Sequence, residues 1–257
     1  GYGADILHAR GQKNRGLHFG KIWLNAAQTD AHKKGKAECI FMRELFQKQL
    51  EELHTLLIEM GALCEQVIER TYQVLMAEDR NAASEIIKGD DIIDNKEREI
   101  ESLCLKILLQ QQPVASDLRR VSAALKMITD MERIGDQAAD IAEIIMTSNL
   151  KAPVKEIGLN EMAKATMKMV TESIDSFVKQ DLKIAQKVIA DDDIVDQLFL
   201  DVRNHLAQGM ADDVATREQL LDLLMIAKYY ERIGDHATNI AEWVEFSILG
   251  QHREEDE

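Results

Sequence analysis

The chain repeats itself, and that repeat limits what it can fold into more than any other property. At a shift of 102 residues, Met60 falls on Met162, Asp79 on Asp181, Ala83 on Ala185 and Ile87 on Ile189, and the word Asp90-Asp91-Ile92-Ile93-Asp94 falls on Asp192-Asp193-Ile194-Val195-Asp196. At a shift of 99, Glu132-Arg133-Ile134-Gly135-Asp136 falls on Glu231-Arg232-Ile233-Gly234-Asp235, and Ala138, Ile141, Ala142 and Glu143 fall on Ala237, Ile240, Ala241 and Glu242. A period of about a hundred residues means two copies of one supersecondary unit. The change of shift predicts three fewer residues in the second unit's turn between its middle and last helices, where length varies at little cost.

The pattern inside each unit is helical. Leu45, Leu50, Leu53, Leu56, Leu57, Met60, Leu63, Val67 and Ile68 recur at three and four residues, which aligns them on one stripe. This predicts a helix over about 43–78, a break at 78–81 and a second helix over about 82–111. Pro113 ends it, because proline donates no N–H and disfavours helical geometry in the residue before it. Ser116 or Asp117 can cap a third helix carrying Leu118, Val121, Leu125, Ile128, Ile134 and Ile141. Pro153 and Gly158 mark a linker. Two prolines and 5% aromatics in 257 residues argue against sheets, so the expected fold is all-α, two tandem and similar three-helix bundles over 42–150 and 158–250.

The ends differ from this body. Residues 1–41 hold 6 of the 13 glycines and carry a net charge of +4, against −19 for the rest, and show no apolar period. They are expected to be a leader, of vector origin or from a mis-assigned start. Residues 251–257 read as an acidic tail. A net charge of −15 excludes a nucleic-acid binder that relies on a basic surface and disfavours contact with acidic lipid. Cys39, Cys64 and Cys104 form no Cys-x-x-Cys pair and are odd in number, so neither a disulfide framework nor a thiolate zinc site is suggested and the cytoplasm is the expected compartment. No apolar segment approaches the roughly 20 residues of a membrane span.

The repeated words carry chemistry as well as structure. Asp90 and Asp94, Glu132 and Asp136, Asp192 and Asp196, and Glu231 and Asp235 are each four apart, which stacks like charges about 5–6 Å apart on one helix face. Asp140 extends the first stripe, whereas the second has Asn239. Clustered carboxylates suit hard cations such as magnesium, manganese, calcium or oxidised iron; His236 is the one candidate imidazole beside them. A highly charged chain also produces such pairs on solvated faces that need no ligand, and Arg133 and Arg232 are read first as their salt-bridge partners. The repetition argues for more than that. So does the glycine in each Glu-Arg-Ile-Gly-Asp word, since glycine inside a helix costs about 1 kcal/mol relative to alanine and marks close approach by another group. Phosphate-loop, nucleophile-elbow, His-Glu-x-x-His and dinucleotide fingerprints are absent from the sequence.

These residues, together with Ser116-Asp117-Leu118-Arg119 after Gln112-Pro113, resemble the PhoU family of regulators of bacterial phosphate-specific transport, over Met42 to about Gly250. The resemblance implies a cytoplasmic, often homodimeric protein with multinuclear iron or zinc clusters at the acidic motifs. It also implies a negative regulator that restrains the phosphate ABC transporter through its ATPase and favours the signalling-off state of the phosphate-sensing histidine kinase. Carried over, the metal positions are Asp90, Asp94, Glu132, Asp136 and Asp140 in the first unit and Asp192, Asp196, Glu231 and Asp235 in the second; Asn239 leaves the nuclearity of the second cluster open. No catalysis is expected. The competing readings are a carboxylate-bridged metalloenzyme, di-iron-like or phosphohydrolase, and a purely structural helical scaffold.

Overall fold

Two short devices repeat at the ends of the first helix of each unit and set the hairpins. Glu78 and Gln180, which match at the 102-residue shift, are the only described non-glycine residues with positive φ (53° and 51°), and each is followed by an aspartate that caps the next helix. Asp79 accepts from the N–H groups of Asn81 and Ala82 at 3.0 and 3.1 Å, and Asp181 from those of Lys183 and Ile184 at 2.9 and 3.4 Å. A left-handed residue closes one helix and a carboxylate opens the next, so the chain reverses in a few residues.

The structure, a computed structural model, describes residues 8–111, 113–148, 150, 157–209 and 214–251, with side-chain surroundings from Met42 onward except at Gln111. The elements are α1 (His8–Ala77), α2 (Arg80–Gly89), α3 (Asp91–Gln111), α4 (Ala115–Thr147), α5 (Leu159–Lys179), α6 (Leu182–Gln208) and α7 (Val214–Leu249). The chain divides into two compact bodies, residues 1–49 and 50–257. The second holds two three-helix bundles: the later part of α1 with α2–α3 and α4, then α5 with α6 and α7. Met60 and Met162, at matching positions, are both fully buried, as are Ile134 and Ile233.

The inner faces meet through α4 and α7, which pack on one another more extensively than any other pair among α2–α7. They run antiparallel. Asn239 and His236 of α7 reach Asp130 of α4 at 3.1 and 3.0 Å, while Asp140, toward the other end of α4, bonds Tyr229 toward the other end of α7. Because Asp140 matches Asn239 and Asp130 matches Tyr229 in the repeat, the contact is reciprocal, as in a two-fold interface between identical subunits. α1 and α5 meet likewise, with Tyr72 donating to Asn160 at 2.5 Å and His54 edge-on to Phe177.

Four sequence expectations need correction. The first helix starts at His8 and not near 43, since a missing apolar stripe removes a buried face without removing helical backbone geometry, and this stretch has no proline. The second helix is two: α2 and α3 part at Asp90, whose N–H reaches Ile87 only at 3.5 Å, just after Gly89. α4 is capped by neither Ser116 nor Asp117 but begins after Val114, which offers no side-chain cap, and Leu118 of its first turn is exposed. The three residues missing from the second unit come out of a helix, for α6 stops at Gln208, the match of Lys106, while α3 runs on to Gln111. Residues 151–156 of the expected linker and 252–257 of the acidic tail lie outside the described residues.

Candidate metal centre

In each unit the seam between the middle and last helices is set by the glycine of the Glu-Arg-Ile-Gly-Asp word. A Cβ on Gly135 would stand 2.9 Å from Cδ1 of Ile93 and 3.5 Å from Oδ1 of Asp90; a Cβ on Gly234 would stand 3.3 Å from Cγ1 of Val195. Ile93 and Val195 are matched, buried residues in the Asp-Asp-Ile-Ile/Val-Asp words. Glycine thus lets α3 lie directly against α4, and α6 against α7, which brings the two acidic words of each unit across from one another.

In the first unit they converge. Asp90, Asp94 and Asp136 each offer a ligand atom within 4.8 Å of the others, the one such group of acids among the described residues. Glu132 flanks them, and Glu97, a further half-buried acid of α3, lies close enough to raise its pKa and accepts a 3.4 Å bond from Thr129. Partial burial, then the charges of Asp136 and Asp94, push Asp90 up to about 6, and Glu132 is raised by burial and by Asp136. Arg133, 53% exposed, pairs with Asp136 at 2.9 Å and Glu132 at 3.5 Å, so the salt bridge expected of Arg133 forms on the outer side of the stripe, and Arg98, which the sequence reading did not name, pairs with Asp94 at 3.4 Å. Asp140 stands apart from the three. Burial raises it, the hydroxyl of Tyr229 offsets that, and it belongs to the α4–α7 contact.

The second unit gathers the same acids less tightly. Asp192 and Glu231 are half-buried, but Asp196 and Asp235 are exposed. Thr238 donates to Asp192 at 3.2 Å. The ammonium of Lys228 donates to Glu231 at 2.6 Å and lies 5.5 Å from the ring centre of Phe199. Asp235 is still pushed up to about 6, by desolvation of its carboxyl and by Glu231 and Asp192, with Lys228 acting against them. His236 is turned from the stripe to Asp130. Asn239 departs from the acidic pattern for a local reason, since an aspartate there would face Asp130, which its amide now bonds.

Donor chemistry therefore separates the stripes. The first presents converging carboxylate oxygens and fits a hard cation; the second already holds an ammonium. Glu97, Thr129, Lys228, Phe199 and Thr238 escaped the sequence reading, although extending the same two shifts sets Glu97 on Phe199, Thr129 on Lys228 and Ala139 on Thr238.

Fold and site together define a class: tandem three-helix bundles, each with an acidic stripe on the seam between its last two helices. Residues 57–145 and again 159–244 match the model of the PhoU domain, and the chain belongs to the PhoU family. It is 39% identical over 213 residues to the phosphate-specific transport system accessory protein PhoU homolog of Clostridium acetobutylicum, spanning 81% of this chain and 96% of that protein. To the PhoU of Escherichia coli K12 it is 31% identical over 208 residues, spanning 80% and 86%. The crystal structure of PhoU from Pseudomonas aeruginosa superposes with a TM-score of 0.75 at 31% identity, over 80% of this chain and 100% of that one. The phosphate transport system regulatory protein PhoU from Streptococcus pneumoniae gives 0.76 at 25% identity, over 82% and 100%. No described helix is long and apolar enough to cross a membrane.

Proposed function

We propose that the chain is a cytoplasmic accessory regulator of bacterial phosphate transport, a non-enzymatic adaptor that restrains the phosphate ABC transporter through its ATPase subunit and holds the phosphate-sensing histidine kinase in its signalling-off state when phosphate is plentiful. The observation that supports this reading is the 39% identity over 96% of the length of a protein named as an accessory protein of the phosphate-specific transport system. The adaptor works as a homodimer. Asp90, Asp94 and Asp136, with Glu132 beside them, hold the metal, which is iron or zinc by family and magnesium or manganese by carboxylate chemistry. Bound there, the cation supplies charge neutralisation. The chain's own residues then join α3 to α4 and present a rigid acidic face to a partner. Glycines 135 and 234 hold the helices close whether or not a cation is present.

The test is genetic. Removing the gene from its host should raise phosphate uptake and switch on a phosphate-starvation promoter in replete medium, and the intact gene should reverse both. Unchanged uptake and promoter activity in the deletion strain would sink the regulatory reading. A variant with Asp90→Ala, Asp94→Ala and Asp136→Ala should fail to restore repression; if it represses normally, the regulator acts through protein contacts alone and the metal part is discarded.

A further inference from the structure

We propose that Lys228 fills the cation's place in the second acidic stripe, so that the chain takes up metal at its first bundle only. The inference rests on the metal-binding reading above and deepens it by assigning the ion to one stripe.

Three positions that face the seam differ between the copies, and all three differences act in the same direction. Glu97 is replaced by Phe199, which removes a carboxylate and supplies a ring for a lysine stem and ammonium to pack on. Thr129 is replaced by Lys228, whose ammonium bonds Glu231 at 2.6 Å. Ala139 is replaced by Thr238, whose hydroxyl takes up an oxygen of Asp192 at 3.2 Å. The first stripe therefore offers Asp90, Asp94, Glu97, Glu132 and Asp136 with no cation set among them from the lysine's position. The second offers Asp192, Asp196, Glu231 and Asp235 around a tethered positive charge. Glu231 is the least exposed of these carboxylates whose exposure can be compared, 13% against 21% for Glu132, 27% for Asp94 and 29% for Asp136, so its charge most needs a counter-ion, and Lys228 is on the same helix one turn away. A compact ammonium with three donors, 45% exposed and carried on the same helix, meets that need without a bound ion. A divalent ion entering the stripe must either displace it or lie beside it, and repulsion at contact distances in a partly desolvated seam weakens such binding by more than about a hundredfold.

Exchange of the facing residues tests this directly, with metal uptake as the readout. Full-length protein freed of metal is titrated with Mn²⁺ and with Zn²⁺ by calorimetry, and ions retained after gel filtration are counted. The wild type should lose its uptake when Asp94→Asn and Asp136→Asn are combined and keep it when Asp196→Asn and Asp235→Asn are combined. Lys228→Thr with Phe199→Glu, which gives the second stripe two of the first stripe's three residues, should add uptake that Asp235→Asn removes. Thr129→Lys with Glu97→Phe should abolish uptake at the first stripe. Circular dichroism and melting check folding, and Lys228→Thr alone serves where Phe199→Glu does not fold. If Asp196→Asn with Asp235→Asn removes part of the wild-type uptake, or if freeing the second stripe of Lys228 adds none, the proposal is wrong while the metal reading stands. If neither wild type nor any exchange variant takes up either ion, both are wrong.

Discussion

The two bundles close their acidic seams on the same backbone plan and then fill them with different chemistry. In both, a glycine admits a β-branched residue of the middle helix, Ile93 against Gly135 and Val195 against Gly234, and carboxylates gather on either side. In the first, five half-buried acids face one another and are relieved only from outside, by exposed arginines. In the second, an acid has become a ring, a threonine has become a lysine, and Glu231, 13% exposed, is paired with that lysine of its own helix, itself 45% exposed. Duplication fixes where helices run, because each inherits a turn, a cap and a packing glycine. It leaves the side chains facing the seam free to diverge, because a solvent-accessible seam can be balanced in several ways. The α4–α7 contact shows the same freedom, with Asp140 against Tyr229 at one end and Asn239 against Asp130 at the other, so that neither end sets two carboxylates face to face.

The largest effects should come from what the copies share. Gly135→Val and Gly234→Val each force a branched side chain into a helix contact with no room for it, and each should cost about 2–3 kcal/mol in urea unfolding. Gly135→Ala should be nearly neutral, because Cδ1 of Ile93 can turn away and alanine recovers about 1 kcal/mol of helix propensity. Valine tolerated at both positions would show that the glycines do not set the seams.

That shared plan is also what the sequence made legible. Gly135 and Gly234 stood out as costly residues in two identical words, and both meet a neighbour where a Cβ would go. The helical stripes, the hairpin breaks and the duplication could be read because apolar spacing and repeated words report directly on backbone and core. The fine structure of the site was harder to see. Asp140 shares the register of the first stripe but faces another helix, because a register says which side of a helix a residue occupies and not which partner lies beyond. His236 was taken for a neighbour of the acids by its place beside Asp235, yet one residue along a helix turns a side chain by about a hundred degrees, and it bonds Asp130. Lys228 carries no ligand signal in the sequence, because ligand spacing marks acids and imidazoles and says nothing of a lysine that pairs with one of them.

Where the copies differ, the differences can be weighed. In metal-free protein at neutral pH and low salt, Lys228→Ala should cost about 1 kcal/mol, because Glu231, 13% exposed, is left without a counter-ion, while the 45% exposure of the lysine itself limits the loss. Arg133→Ala in the first unit should cost less than about 0.5 kcal/mol, since Arg133 is 53% exposed and its pairs are screened. Equal losses by chemical denaturation would mean that Lys228 is one more surface ion pair, and the contrast between the two stripes would collapse.

The pH dependence sharpens the contrast further. Asp90 has a folded value raised to about 6, above the roughly 4 of an unfolded chain, so the folded protein binds that proton more tightly. Metal-free protein is accordingly stabilised by this group as pH falls toward 4, and that contribution is lost as pH rises through 6. Asp90→Asn should therefore stabilise the metal-free protein at pH 7.5, by about 1 kcal/mol after allowing for solvent, and have little effect at pH 4.5. Asp192 is raised too but is steadied by Thr238, so Asp192→Asn should gain less. A larger gain from Asp192→Asn would reverse the assignment of the strained stripe.

The smallest effect concerns the helix break that only the first unit has. Gly89 precedes Asp90, where α2 gives way to α3, whereas Asp191 holds the matching place inside the unbroken α6. A Cβ on Gly89 would meet nothing within 4 Å, and its φ is not positive, so packing does not require glycine there. Its effect is local: without a side chain the backbone is freer, the helix is weakest at that point, and Asp90 begins a new helix with its carboxylate beside Asp94 and Asp136. Gly89→Ala should stabilise the protein by about 0.5–1 kcal/mol in urea unfolding. If the break also serves to set Asp90 in the cluster, the same change should weaken Mn²⁺ uptake several-fold even as the fold becomes more stable. A gain in stability with unchanged uptake would show that the break is incidental and that Asp90 is placed by the Ile93–Gly135 contact alone.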